Sequence, residues 1–231
     1  MMKIRRAKDR GHADHGWLKS AHTFSFADYH DPDYMGVSVL RVINEDRVAP
    51  GKGFGTHPHR DMEILSYVLE GSLEHRDSMG NGSVIQSGEL QLMSAGRGVS
   101  HSEFNASDKD PVHFYQIWIL PKEKGREPRY EQKLFSDHEK LDNLKLVGSS
   151  DGTNGSLHIA QDVKIYLSII TDNGLEYAAP AGRTAWLQVL RGEIKISNKN
   201  LSAGDGIELS SADSCSMQSE NKAEIMIFEM P

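Results

Sequence analysis

Short stretches of alternating or continuous apolar residues recur along the chain, separated by turns. The first half contains seven such stretches, at residues 37–43, 64–69, 73–77, 84–86, 89–93, 99–104 and 113–119. A period of two predicts a β-strand with one buried face, and Ser78-Met79-Gly80-Asn81-Gly82 predicts a tight hairpin between two of them. Many short strands joined by turns predict an all-β fold with little helix, closed as a barrel or packed as a sandwich.

The second half of the chain repeats features of the first half. The strand ending at residues 68–71, Val-Leu-Glu-Gly, is echoed at residues 189–192 by Val-Leu-Arg-Gly, and residues 87–89 are echoed at 203–205. A polar stretch at 121–128 separates the two halves. A repeat of this size predicts two barrels, and we place the N-terminal one at residues 1–125 and the C-terminal one at residues 126–231.

Composition excludes several classes of protein. The 231 residues carry a formal net charge of -7, which disfavours general binding to nucleic acids or anionic membranes. Cys215 is the only cysteine, so no intramolecular disulfide can form, and this favours a reducing compartment. The basic N-terminus leads to no apolar run, and no stretch has membrane-spanning length. We therefore expect a cytoplasmic protein that does not bind nucleic acid directly or a membrane.

Residues 1–35 are rich in histidine and aromatic residues but show no ligand spacing. We interpret this segment as an irregular arm that packs its aromatic side chains on the N-terminal barrel. The alternative is that some of these side chains line the mouth of a pocket.

Two pairs of potential ligands carry the strongest chemical signal. His57 and His59 are two residues apart, as are His101 and Glu103. On a strand, residues i and i+2 share a face, so each pair converges on one point. Three imidazoles and one carboxylate suit a divalent transition metal and leave coordination positions open. A structural zinc site is disfavoured, since such sites are closed and usually contain cysteine.

The C-terminal half lacks these ligands. Counting the same offsets from Gly192 and Gly204 leads to Ala178, Pro180, Met217 and Ser219. The sequence therefore predicts one metal site per chain, in the N-terminal barrel.

Two acidic residues compete for roles at the site. Glu103 is the predicted ligand, and its second oxygen is the candidate catalytic base for a substrate hydroxyl. Glu63 has the parity of His57 and His59, and we predict that it orients a histidine. Its alternatives are a metal ligand or a salt bridge to an arginine such as Arg41 or Arg60. His75 and His113 lack a partner at ligand spacing and are predicted to be structural or surface residues.

These pairs stand within patterns that resemble the two motifs of the cupin superfamily. Residues 51–71 resemble the first motif, with the final glycine one residue late. Residues 88–105 resemble the second motif, with Ser94 in place of a proline and His101 two positions late.

From about residue 3 to about residue 230 the chain resembles the pirin family of bicupins, most closely the bacterial pirin-like proteins described as quercetin 2,3-dioxygenases. The residues that carry this resemblance are His22-Thr23-Phe24-Ser25-Phe26, Asp31-Pro32, Arg41-Val42, residues 57–63 and Gln116-Ile117-Trp118.

The resemblance implies two stacked antiparallel jelly-roll barrels and a metal held by His57, His59, His101 and Glu103. Iron is the first choice of metal, with Ni, Cu, Mn, Co and Zn left open. It also implies an oxidoreductase that cleaves quercetin or a related flavonol with O2 and releases CO. The alternative is a non-enzymatic, metal-binding regulatory protein that acts through a protein partner.

Overall fold

The computed structural model describes residues 3–210 and 213–231, and almost all of their regular structure is β-strand. The strands are β1 Lys3–Arg5, β2 Gly11–Asp14, β3 Leu18–His22, β4 Leu40–Val48, β5 Gly53–His59, β6 Glu63–Glu70, β7 Ser72–Asp77, β8 Gly82–Gln86, β9 Glu89–Ser94, β10 Val99–Asn105, β11 Val112–Ile119, β12 Arg129–Leu134, β13 Lys145–Ser149, β14 Leu157–His158, β15 Lys164–Ile170, β16 Leu175–Ala178, β17 Thr184–Arg191, β18 Glu193–Ile196, β19 Lys199–Ser202, β20 Gly206–Leu209, β21 Ser214–Gln218 and β22 Ala223–Met230.

Helical structure is confined to three short segments of the described residues. They are helix α1, Asp137–Lys140, and the 3₁₀ turns Ala7–Asp9 and Thr153–Gly155. None of these helices is long and apolar enough to cross a membrane.

The strands divide between two compact units, and each unit has one seven-stranded and one four-stranded sheet. The first unit comprises residues 11–134 and 159–161, with strand orders β12-β9-β6-β11-β4-β3-β2 and β5-β10-β7-β8. The second unit comprises residues 3–10, 135–158 and 162–231, with orders β1-β20-β17-β22-β15-β13-β14 and β16-β21-β18-β19. The predicted all-β fold is confirmed. Each unit is a two-sheet jelly-roll arrangement and not one continuous closed sheet.

Each unit has an apolar core to which both of its sheets contribute. In the second unit Leu187 and Ile225 of the larger sheet cluster with Ile194 and Met217 of the smaller sheet. In the first unit Val68 and Phe114 cluster with Leu73 and Ile85 in the same way. Alternation of side chains along each strand produces these inner faces.

The compact units do not divide at residue 125. Strand β1 pairs with β20 of the second unit, with Lys3 opposite Glu208 and Arg5 opposite Gly206. Strand β12 pairs with β9 of the first unit. Backbone pairing between residues far apart in sequence leaves no local signal, so composition alone suggested a simpler boundary. Whether residues 1–125 and 126–231 form separate domains stays a prediction.

Strand β4 differs from the strand predicted at residues 37–43. It runs from Leu40 to Val48, pairs with β11 over most of that length and pairs with β3 at residues 44–48. The polar residues Asn44, Glu45 and Asp46 interrupt the apolar pattern and therefore concealed the second half of the strand. All three are buried, and their contacts are described with the functional site below.

The repeated Val-Leu-X-Gly ending marks the same turn in both units. Gly71 and Gly192 have φ values of 76° and 73°, in the left-handed region. A Cβ atom at Gly71 would lie 2.8 Å from the carbonyl oxygen of Pro111, and one at Gly192 would lie 2.5 Å from that of Lys222. Glycine is therefore required twice, for its backbone conformation and for the close approach of a neighbouring strand.

We expect Gly192→Ala to destabilise the protein more than Gly182→Ala. Gly182 has a similar φ of 76°, but a Cβ there meets nothing within 4 Å. Both substitutions carry a left-handed strain of about 1–2 kcal/mol, and Gly192→Ala adds an overpacking penalty of roughly 1–3 kcal/mol. Urea denaturation of the two variants measures the difference, and equal midpoints would contradict the steric role of Gly192.

Candidate metal centre and pocket

Strands β5 and β10 bring the three predicted histidines together in the first unit. They are neighbours in the four-stranded sheet, and His57 stands directly opposite His101. The ring centroids are 4.8 Å apart for His57 and His59, 4.5 Å for His57 and His101, and 4.9 Å for His59 and His101. One ring nitrogen from each lies within 4.8 Å of the others. Strand β5 is an edge strand, which explains how it accommodates Pro58.

The hydrogen bonds and burial of these histidines suit metal ligation. Nδ1 of His57 donates to the carbonyl oxygen of Gly55 at 2.8 Å, so its Nε2 keeps a free lone pair. Nε2 of His101 is buried without a hydrogen-bond partner in the described chain. Burial and neighbouring imidazoles lower the pKa of His59 to about 4 and that of His101 to about 2. Both rings are thus neutral at pH 7, the form that binds metal, and the residues fit a divalent cation.

Glu103 lies beside this centre with its carboxyl group inside the fold. One of its oxygens belongs to a second set of potential ligands with His75 and His101, all within 4.8 Å of one another. Ser66 Oγ donates to Oε1 at 3.1 Å, and Gln116 Nε2 donates to Oε2 at 2.7 Å. Burial raises the pKa of Glu103 to about 7, although these two hydrogen bonds oppose the shift. A carboxyl group with this pKa can both take up and release a proton at neutral pH.

The amide of Gln116 is held in one orientation. Trp118 Nε1 donates to Gln116 Oε1 at 3.1 Å, which leaves the amide NH2 directed at Glu103. Sequence reasoning treated Ser66 only as a strand residue, and it used Gln116 only as a strand residue that carries the family resemblance. The spacing of Gln116 and Trp118, two residues apart on a strand, was the available signal for a shared inner face.

His75 is a site neighbour that sequence reasoning missed. Its ring is fully buried, and Nε2 lies 3.1 Å from Asp77 Oδ2 while Nδ1 lies 3.5 Å from Nδ1 of His101. If Asp77 accepts the Nε2 proton, His75 Nδ1 is left to accept from His101, whose Nε2 then faces the centre unprotonated. The available signal was the His75-X-Asp77 spacing on a strand adjacent to β10. His113 is not part of either ligand set, and its Nε2 lies 3.0 Å from Glu45 Oε1.

Glu63 has different neighbours from those predicted. Its Oε2 accepts hydrogen bonds from Ser94 Oγ at 2.7 Å and from the backbone N–H of Ala160 at 3.0 Å. It begins strand β6 in the seven-stranded sheet, opposite Ser94, whereas the histidines lie on the four-stranded sheet. These hydrogen bonds connect separate segments of the first unit. We therefore do not assign to Glu63 the role of orienting a histidine.

A row of polar side chains crosses the seven-stranded sheet beneath the centre. Each member stands opposite the next on the neighbouring strand, so all share one face. The polar row consists of Gln91, Ser66, Gln116, Asn44 and His22. Its middle members hold Glu103, and at its far end His22 Nδ1 and Asn44 Oδ1 are 2.9 Å apart.

A cavity of about 530 Å³ in the first unit opens onto the centre. Its walls include His57, His59 and Glu103 together with aromatic rings. The aromatic members are Phe26, Tyr29, Phe54 and Trp118. The N-terminal segment therefore does more than pack on the unit: it forms β2 and β3 of the larger sheet and contributes His12, His15 and His22 to the pocket.

The equivalent positions of the second unit have another character. Met217 belongs to its apolar core, and Ala178 is exposed at the end of β16. Both candidate ligand sets found among the described residues lie in the first unit.

Comparison with known proteins agrees with this architecture. A family model described as Pirin matches residues 3–119, and one described as the quercetinase C-terminal cupin domain matches residues 146–230. The chain is 47% identical to a protein of Escherichia coli K12 named quercetin 2,3-dioxygenase, over 100% of this chain and 99% of that one.

Solved structures give the same result. The crystal structure of the bacterial pirin YhhW from Escherichia coli in complex with nickel(II) is similar with a TM-score of 0.94 and 46% identity, covering 100% of this chain and 99% of that one. A quercetin 2,3-dioxygenase from Acinetobacter baumannii shares the fold alone, with a TM-score of 0.79 at 20% identity and coverage of 99% and 85%. The matched family model and the full-length identity together show that this chain belongs to the pirin family.

Proposed function

We propose that this protein is a metal-dependent dioxygenase that cleaves quercetin or a related flavonol with O2 and releases CO. The observation that carries the proposal is the cavity beside the three histidines. Its volume of about 530 Å³ lies within the usual range of small-molecule sites. Its aromatic walls suit a flat aromatic ligand, and the name of the Escherichia coli relative supports a flavonol.

The metal would be held by His57, His59, His101 and Glu103, one ion per chain. Iron remains our first choice by family resemblance, and the nickel complex of the YhhW relative makes nickel the first alternative to test. When bound, a divalent cation at this position supplies a positive charge that acidifies a phenolic hydroxyl placed next to it.

Glu103 would accept the proton of the flavonol 3-hydroxyl. Ser66 and Gln116 keep its carboxyl group in place through hydrogen bonds to its two oxygens. His59 and Trp118 lie with their rings nearly perpendicular at 5.0 Å, so the pocket presents an apolar wall next to the ligands. Such a wall positions the planar substrate and reduces the access of water.

We expect quercetin to disappear only in the presence of oxygen and bound metal. Protein loaded separately with Fe, Ni, Cu and Mn is incubated with quercetin in air and under nitrogen. Loss of flavonol absorbance and release of one CO per flavonol are the measurements. No oxygen-dependent loss with any of these metals would contradict the proposal and would favour a regulatory role through a protein partner.

We expect one equivalent of divalent metal per chain, and less than a tenth of it after His59→Ala. The substitution removes one of three converging imidazoles, and a pair binds far more weakly. Elemental analysis of both proteins measures the loss. His138→Ala, which changes an exposed histidine on α1, is the matched control and should retain the metal. Two equivalents in the parent protein, or full retention by His59→Ala, would contradict this assignment.

We expect Glu103→Gln to lower kcat by about 10²–10⁴-fold, the usual contribution of a general base. Gln keeps the shape and one oxygen, so part of the metal should remain, and rates are compared per bound metal. Glu45→Gln is the control, because Glu45 is also a buried carboxyl but pairs with Arg47 and His113. Unchanged turnover per metal in Glu103→Gln would remove the catalytic role of Glu103.

A further inference from the structure

Four polar residues gather at the end of the pocket formed by strands β3 and β4. Ser20 stands opposite Asp46, and His22 stands opposite Asn44, so the two pairs share one face. We call these four residues the distal cluster. All are buried, and all line the cavity that opens onto the metal centre.

Asp46 is the unusual member of the distal cluster. Its exposed fraction is 4%, yet its Oδ1 has no hydrogen-bond partner in the described part of the chain. A Ser20 hydrogen bond supports the carboxyl group, whereas burial and the nearby Glu103 and Glu45 carboxyls act against its ionisation and raise its pKa to about 7.

A buried carboxyl group with an unpaired oxygen is unfavourable for the stability of the protein without a ligand. A buried polar atom without a partner destabilises the folded state. The structural carboxyls of the same unit differ in this respect: Glu63 is bonded by Ser94 and Ala160, and Glu45 by Arg47 and His113. Asp46 lines a cavity large enough for a ligand, and unfavourable groups of this kind are typical of binding sites.

We propose that the distal cluster is a second polar subsite, at which the carboxyl group of Asp46 accepts a hydrogen bond from a hydroxyl group of the substrate remote from the reacting one. The ligand class is an aromatic compound with at least two separated hydroxyl groups. The choice of a flavonol as the probe rests on the proposed function. A site that leaves a buried acceptor unpaired discriminates strongly against analogues that lack the matching hydroxyl.

The subsite divides recognition between two ends of one cavity. The histidines and Glu103 act on the reacting hydroxyl, and the aromatic rings of Phe26 and Trp118 hold the flat body of the ligand. Asp46 then selects for a polar group on the other end. This explains why β4 continues as a strand through Asn44 and Asp46 with polar residues on a buried face.

The test compares two flavonols that differ in their remote hydroxyls. Quercetin carries several of them, whereas 3-hydroxyflavone carries only the reacting one. Equilibrium dissociation constants are measured under nitrogen on metal-loaded protein, so that binding is observed without turnover. The variants are Asp46→Leu, which removes both oxygens at similar size, and Asp46→Asn, which preserves the shape if the first variant folds poorly. Glu45→Gln is the control on the same strand.

We expect Asp46→Leu to weaken quercetin binding by about tenfold, the effect of one lost hydrogen bond of about 1.4 kcal/mol. Binding of 3-hydroxyflavone should change by less than about twofold or become tighter, and Asp46→Asn should show the same selectivity with a smaller loss. Glu45→Gln should alter neither ligand. Metal content should be unchanged in the Asp46 variants.

Thermal unfolding without ligand gives a second, independent readout. If Asp46 serves a ligand, Asp46→Asn should leave the Tm unchanged or raise it, because an unmatched buried carboxyl is removed. A structural residue would show a lower Tm instead. A lower Tm together with equal losses for both flavonols would overturn the proposal.

The outcomes also separate the subsite from the proposed function. Selective loss of quercetin binding without any quercetin consumption in air would support the subsite and contradict the dioxygenase. Consumption of quercetin with equal effects of Asp46→Leu on both flavonols would support the dioxygenase and overturn the subsite. Absence of binding of either flavonol to the parent protein would overturn the subsite as proposed.

Discussion

The burial of one carboxyl group between two sheets is the constraint on which the site depends. Glu103 sits where an apolar side chain would ordinarily complete the core, and a buried charge is unfavourable unless it is hydrogen-bonded. Ser66 and Gln116 supply those hydrogen bonds from the opposite sheet, and Trp118 fixes the direction of the Gln116 amide. The polar row on the larger sheet is thus the counterpart of the ligand pairs on the smaller sheet.

The two units show what this constraint changes. Both have a seven-stranded and a four-stranded sheet, and both have the same glycine turn at the end of a central strand. In the second unit Met217 belongs to a large apolar cluster to which both sheets contribute. The first unit divides its apolar core into separate clusters and places the polar row among them. One fold therefore supports either a packed core or a reactive centre, depending on the inner-face residues.

Desolvation shifts the pKa values of several groups at the centre. It keeps the imidazoles of His59 and His101 neutral and so available as ligands, and it brings the carboxyl of Glu103 close to half-protonation at neutral pH. Desolvation also raises the pKa of Asp46, and the described residues supply fewer hydrogen bonds to oppose that shift. Burial in a partly apolar site thus shifts the protonation equilibria of these groups.

Local periodicity determined much of this protein from sequence alone: the all-β class, most first-half strands, the repeated turn and the shared face of His57 and His59. Side-chain direction on a strand has a period of two, so these features need no knowledge of distant residues. Tertiary structure alone decided the partners of Glu63, the position of His75, the pairing of β1 with β20 and the pocket lined by Asp46. These depend on which strands become neighbours, and such pairings join residues too far apart in sequence for any local pattern to record.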